Sequence, residues 1–459
     1  MPQCFGSLKK LKGSSSMKPS RDNTFCYFPF NRLALKEWKD GKILNPLPCC
    51  VSQNTQNDPM DWKSWKHEIE GKPGNKLQNI FYHEAFEKLR YDALNNIKNS
   101  ACKSCWEKEA EVGTSDRLKH SDVVEEYTNS LTNPKLTTFD IQLDDECNLR
   151  CRMCAPWLSN KLTIDLKMFK ERGAELPASW KGSYEEEIFF REKSHQLTTT
   201  GADFDEWQYV LDNLHECKMI KFTGGEPFLS KRFNEFIDYA IENDFAGDIE
   251  LNTITNATKF TDNMIEKIKN FKKFNPVFSI DGTNKTYEYI RHPMPFNKLQ
   301  SSIEKFIQSD INSRSVSHNF VASIYNIHNL YDYINFYKNF YNSDKNKIIK
   351  NVHLSIDFVH PYDGPLAIKW LPNHIIEPIL QQLKNMPLEY IGDKCNVKFN
   401  ELTDITTYLE NALKVDQSKK QKMWKKMKTD IVNYDINRDQ SYTEFMTSDM
   451  VRFLDSIKL

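Results

Sequence analysis

The 459-residue chain contains no apolar run long enough to cross a bilayer, so a membrane-embedded helix is not expected. It has no excess of either charge: 62 Lys and Arg stand against 63 Asp and Glu, and no overall basic field would attract nucleic acid. Internal repeats and long low-complexity tracts are missing too. Residues Met1 to Asn23 are basic and Ser-rich without an apolar core, which argues against a signal peptide and reads as a disordered tail. A second basic stretch, Lys419 to Lys428, reads as the solvated face of a helix. What the chain does have is cysteine. Its 11 cysteines, an odd number, suit metal ligands in a reducing cytoplasm better than disulfides.

Three of them, Cys147, Cys151 and Cys154, fall within eight residues in Asp-Glu-Cys-Asn-Leu-Arg-Cys-Arg-Met-Cys. This C-x3-C-x2-C spacing supplies three thiolates, one fewer than a [4Fe-4S] cube needs, and leaves one iron open to chelate a second molecule. A zinc site short of its fourth ligand and three plain buried thiols are the alternatives. Zinc knuckles favour paired C-x2-C elements with a second pair or histidines downstream, and no His follows closely. The spacing resembles that of the radical S-adenosylmethionine (SAM) enzymes. The resemblance implies that the open iron binds the amino and carboxylate groups of SAM. An electron from the cluster then splits SAM to methionine and a 5′-deoxyadenosyl radical, which abstracts hydrogen from substrate.

The surroundings of the motif fit a barrel of that kind. Leu136 to Leu143 alternates apolar and polar residues and predicts a strand running into the cysteine loop. Lys218 to Thr223 predicts a second strand, ending in Gly224-Gly225-Glu226-Pro227. The glycines lack a Cβ, so backbone can lie against a ligand there, and the proline turns the chain out of the strand. Four further strands are predicted at 248–258, 275–282, 318–326 and 352–359, with helical patterns at 233–242, 262–271, 297–308 and 329–341. This alternation gives an α/β fold, a partial (β/α)6 TIM-like barrel with function at the carboxyl ends of its strands.

By resemblance, Gly224, Gly225, Glu226 and Pro227 line the methionine part of SAM, and Met153 lies against adenine. Asn256, in Thr-Asn-Ala, ends the third strand where relatives commonly read Thr-Asn-Gly. Ser279, in Ser-Ile-Asp-Gly, matches a position that touches the ribose. Arg291, in Tyr-Ile-Arg-His-Pro, resembles an arginine that pairs with the SAM carboxylate. Each has a bland alternative: Met153 in the core, Asn256 in a turn, Ser279 as a strand-end hydroxyl, Arg291 as a surface charge.

A second group of cysteines precedes the barrel: Cys26, Cys49, Cys50 and the C-x2-C pair Cys102 and Cys105. With Gly41 between them, they resemble the twitch module, a shortened SPASM domain, and so imply an auxiliary [4Fe-4S] cluster. Zinc suits four cysteines equally well. The gap from Gly41 to Cys49 is longer than usual and the module precedes the barrel, so the second ligand stays open between Cys49 and Cys50. The module is expected near the barrel mouth. Cys4, Cys217 and Cys395 are assigned to no metal.

The expected organisation is a tail at 1–23, the twitch-like module at 24–130, the barrel at 131–365 and a helical region at 366–459. An insertion between Cys154 and Cys217 reads either as a lid or as a surface excursion. The expected activity is radical SAM chemistry on an unknown substrate, preferably a peptide or protein side chain. A small-molecule dehydrogenase or epimerase is the alternative. A non-catalytic iron-sulfur or zinc binding module is the third reading, and Gly-Gly-Glu-Pro argues against it. A flavodoxin or ferredoxin would supply the electron, and neither nucleic acid nor a membrane is an expected partner.

Overall fold

The computed structural model describes residues 17–459 except 37, 40–41, 44–45, 53–60, 120–124, 129, 157, 178–179, 181–205, 343–351, 360–363, 387–394 and 397–398. Gly41, Cys4 and residues 181–205 of the insertion therefore lie outside the described residues, and so does the question of a lid.

Four short strands come first: β1 (Arg32–Leu35), β2 (Trp38–Lys39), β3 (Lys42–Ile43) and β4 (Pro46–Leu47). Then follow β5 (Thr138–Gln142), β6 (Met219–Thr223), β7 (Glu250–Thr255), β8 (Lys273–Ser279), β9 (Val316–Ala322), β10 (Val352–Phe358) and β11 (Cys395–Asn396). One nine-stranded sheet runs in the order β11-β10-β9-β8-β7-β6-β5-β1-β4, and β2 and β3 form a separate hairpin. Strands β5 to β10 are neighbours in sequence order and all parallel. Helices at Lys231–Glu242, Asp262–Ile268, Phe296–Gln308 and Leu330–Asn342 fall between them, as the periodicity predicts. The N-terminal segment is not a detached appendage. Its strand β1 joins the sheet parallel to β5, and β4 pairs antiparallel on the far side of β1.

The strand sequences explain the two faces of this sheet. Phe139, Ile220, Leu251 and Phe274 stand in register and are fully buried. They form the apolar face that packs on helices. The alternate positions in the same registers are Asp140, Lys221, Asn252 and Asn275, and further along Ser317 with His353, and Asn319 with Ser355. The second face is thus polar, and along β9 and β10 it is half-buried. A parallel sheet wholly covered by helices would be apolar on both faces, so this face has another use. Lys108, on a helix at Lys103–Val112, reaches across to Asp357 of β10 at 3.3 Å and ties the N-terminal segment to the far part of the sheet. Among the described residues no helix is long and apolar enough to cross a membrane.

Candidate functional site

The cysteine loop leaves β5 and is laced at once to the glycine pair. Leu143 N–H donates to Thr223 O, Gly225 N–H to Asp144 O at 2.9 Å, and Glu226 N–H to Glu146 O at 2.7 Å. A Cβ on Gly224 would lie 2.7 Å from Asp144 O, and one on Gly225 2.2 Å from Glu146 O. Gly224 also has φ +124°, a conformation that favours glycine. The space that a side chain would take at each glycine is therefore filled by the cysteine loop itself. Gly225→Ala should displace this loop and lower stability by about 2 kcal/mol, read as an earlier denaturation midpoint. An unchanged midpoint would show that the close approach is not needed.

Glu226 is buried, and both of its oxygens are occupied. One accepts from Thr255 Oγ1 at 2.6 Å and the other from Asn256 N–H at 2.7 Å, which fastens the end of β6 to the end of β7. Burial pushes its carboxyl up to about 7 against the pull of these hydrogen bonds. Pro227 opens a buried turn beside it. Asn256 comes to the loop from the end of β7, with Nδ2 3.8 Å from Cys147 Sγ and 3.0 Å from Asn148 Oδ1. Ser279 ends β8 on the polar face, in register with Asn319. Met153 is half-buried at the edge of the core.

Arg291 closes a short helix at Asn284–Ile290. Its Nε and Nη2 sit 2.8 and 2.7 Å from Asp281 Oδ2, and Nη1 lies 3.8 Å from Cys151 Sγ. Asp281 is held from the other side by Val321 N–H at 2.8 Å. Asp281 is the Asp of the Ser-Ile-Asp-Gly run, to which the sequence gives no role. The arginine is already paired, with one nitrogen on the cysteine loop. Tyr287, one helical turn before Arg291, was missed altogether. It is fully buried near Cys151, Asp281 and Glu226, and its hydroxyl makes no hydrogen bond.

Burial raises the thiols of Cys147, Cys151 and Cys154, Cys151 to about 11, and the charges of these neighbours act on one another. Among the described residues no three ligating side chains are drawn tightly enough together to enclose a metal ion. The donor set still fits an iron-sulfur cluster. The charges of the three thiols act on one another, Leu149 N–H and Asn256 offer hydrogen bonds to Cys147 Sγ and Arg291 one to Cys151 Sγ, and the unpaired Tyr287 hydroxyl belongs to a side chain near Cys151. The raised values keep these thiols protonated near neutral pH, and a bound metal would displace their protons.

The second cysteine group gathers elsewhere. Burial comes first in raising the Cys49 thiol, followed by the neighbouring thiols of Cys50, Cys105, Cys102 and Cys26. Ser52 Oγ donates to Ala101 O at 2.9 Å and pins the Cys49 turn to the turn of Cys102. Cys50 turns another way: its Sγ is 4.0 Å from Lys221 Nζ, and the charges acting on it are Asp140 and Lys221. Burial opposes ionisation of Asp140, yet Lys221 and Arg32, each 3.6 Å away, hold it below its usual range. Cys26 precedes β1, and Cys49 follows β4, which runs back beside β1. Cys26 and Cys49 thus lie by the start of β1, while Lys108, three residues after Cys105, reaches Asp357 near the end of β10.

Residues 143–336 match the Radical SAM superfamily. The chain therefore carries a radical SAM domain from the end of β5 into the helix after β9. A comparison with curated proteins finds no match. Among solved structures, the chain is similar to Streptococcus suis SuiB bound to S-adenosylmethionine, at 15% identity and a TM-score of 0.32, covering 71% of this chain and 59% of that one. It is also similar to SuiB bound to precursor peptide SuiA, at 13% identity and a TM-score of 0.34, covering 78% and 66%. The chain thus spans less than two thirds of the length of SuiB, and likeness of this degree does not carry over a reaction or a substrate.

Proposed function

We propose that this protein is a radical SAM enzyme that abstracts hydrogen from a peptide or protein side chain at the polar face of a partial barrel. The observation that carries the reading is the cysteine loop at the end of β5, with Asn256 and Arg291 directed at its sulfurs. Cys147, Cys151 and Cys154 would hold the [4Fe-4S] cluster, which when bound supplies the electron that splits SAM to methionine and a 5′-deoxyadenosyl radical. Glu226 keeps two strand ends together under the site, and Arg291 offers positive charge for a carboxylate next to Cys151. Gly224, Gly225, Pro227, Met153 and Ser279 complete the SAM pocket in this reading. The polar, half-buried positions on β9 and β10 give a substrate rich in amide groups donors and acceptors to meet.

Cys26, Cys49, Cys102 and Cys105 would hold an auxiliary [4Fe-4S] cluster, or zinc in its place, leaving Cys50 to the Lys221 and Asp140 network. An acidic one-electron carrier such as flavodoxin or ferredoxin would deliver the electron. Anaerobic reconstitution with iron and sulfide, followed by SAM and dithionite, is expected to yield 5′-deoxyadenosine above a protein-free control. Absence of that product from protein with full iron loading would refute the proposal.

A further inference from the structure

The long C-terminal helix at Gln417–Arg438 ends against the back of the cysteine loop. Arg152, between Cys151 and Cys154, is fully buried. Its Nη2 donates to Asp435 Oδ1 at 2.6 Å and to Gln440 Oε1 at 2.9 Å, and its Nε donates to Tyr289 O at 2.9 Å. Its guanidinium lies 3.6 Å from the centre of the Tyr289 ring. Tyr289 in turn donates its hydroxyl to Asp435 Oδ1 at 2.7 Å, and Tyr442 N–H satisfies the other oxygen.

Three residues on, Arg438 donates from Nε and Nη2 to the two oxygens of Asp165, at 3.2 and 3.1 Å. Neither side chain is exposed. Asp165 belongs to the helix Leu162–Glu171 that follows the loop, and Arg150 also reaches it, at 3.4 Å. On a third side, Trp180 packs edge-on against Tyr434 and donates its indole N–H to Cys154 O at 3.0 Å. The helix end therefore holds Arg152, between the second and third cysteines, directly, and reaches Arg150 and Cys154 through Asp165 and Trp180. Buried charge pairs of this kind do little for stability against an apolar replacement, but losing one partner strands the other. Their use is to fix one arrangement.

We propose that Asp435 and Arg438 are positioning residues, which lock Arg152 and Asp165 so that the thiols of Cys151 and Cys154 are held ready for their cofactor. The assignment of that cofactor rests on the function proposed above; the locking of the loop does not. The test is alkylation of the full-length, iron-free chain, with the rate at each cysteine read by mass spectrometry and the buried Cys217 as internal reference. Asp435→Asn is expected to speed labelling of Cys151 and Cys154 about tenfold or more, and to leave Cys217 unchanged. Equal rates in variant and wild type would overturn the proposal.

If Cys217 also becomes reactive, the variant has unfolded. Tyr289→Phe, which removes only one hydroxyl donor, then carries the test, with a rise of about threefold confined to the loop expected and no rise overturning it. After reconstitution, Asp435→Asn should alter the electron paramagnetic resonance spectrum of the reduced protein with SAM, and Asp435→Glu should restore it. An unaltered spectrum would count against a positioning role. Wild-type protein that takes up no iron at this loop would remove the cluster reading while leaving the alkylation result intact.

Discussion

Replacing Cys151 with alanine is expected to bring 5′-deoxyadenosine formation down to the protein-free background. Cys151 is the middle thiol of the three and the one whose sulfur Arg291 approaches, at 3.8 Å. Its loss leaves two ligands, too few to hold a cube that keeps one iron open. It also removes the negative charge that a bound thiolate would place beside a buried guanidinium, which Asp281 would still contact at 2.7 Å. Cys217→Ala is the control. That thiol is more deeply buried than Cys151, its neighbour is the Met219 carbonyl, and the charge acting on it is that of Lys218. The control should cleave SAM as wild type does. A Cys151→Ala protein that still makes 5′-deoxyadenosine at the wild-type rate would show that this loop is not where SAM is cleaved.

The strands of the sheet were legible because each buries one face, so that apolar residues recur at every second position in segments such as Phe139 to Ile141 and Leu354 to Ile356. Strand β1 was not. Its four residues Arg-Leu-Ala-Leu are all buried, which erases the alternation, and its place beside β5 depends on a partner more than a hundred residues away. The cysteine loop could be read from spacing alone, since ligand number is a local property. The reason for the glycine pair could not. A missing Cβ signals a close approach without saying to what, and here Asp144 and Glu146 supply the backbone that fills the gap.

The same limit applies to Glu226 and Arg291. Their residue types suit a charged ligand, yet Thr255, Asn256 and Asp281 already occupy them, and those contacts appear only once the strand ends are brought together. Tyr287 carried a usable signal, lying four residues before Arg291 on a helix and so on the same face. Asp435 carried none, because its partner Arg152 is 283 residues away in sequence.

Cys49 and Cys50 are neighbours in sequence, and nothing local separates them. The structure turns them toward different surroundings, which makes the two distinguishable by iron content. Wild-type protein is expected to hold about eight irons per chain, two cubes' worth. Cys50→Ser should keep about eight, since its thiol faces Lys221 and Asp140 rather than the other cysteines. Cys49→Ser should lose much of the second cluster, because the thiols acting on it include, besides its neighbour Cys50, those of Cys105, Cys102 and Cys26. Cys102→Ala combined with Cys105→Ala removes two ligands at once and should leave about four irons. That protein should still cleave SAM, because Cys147, Cys151 and Cys154 lie on a separate loop after β5, where Asn256 and Arg291 approach the sulfurs of Cys147 and Cys151. Metal analysis giving about four irons and one zinc in the wild type would replace the auxiliary cluster with a structural zinc site. Loss of iron in Cys50→Ser to the same level as in Cys49→Ser would reverse the assignment of the two neighbours.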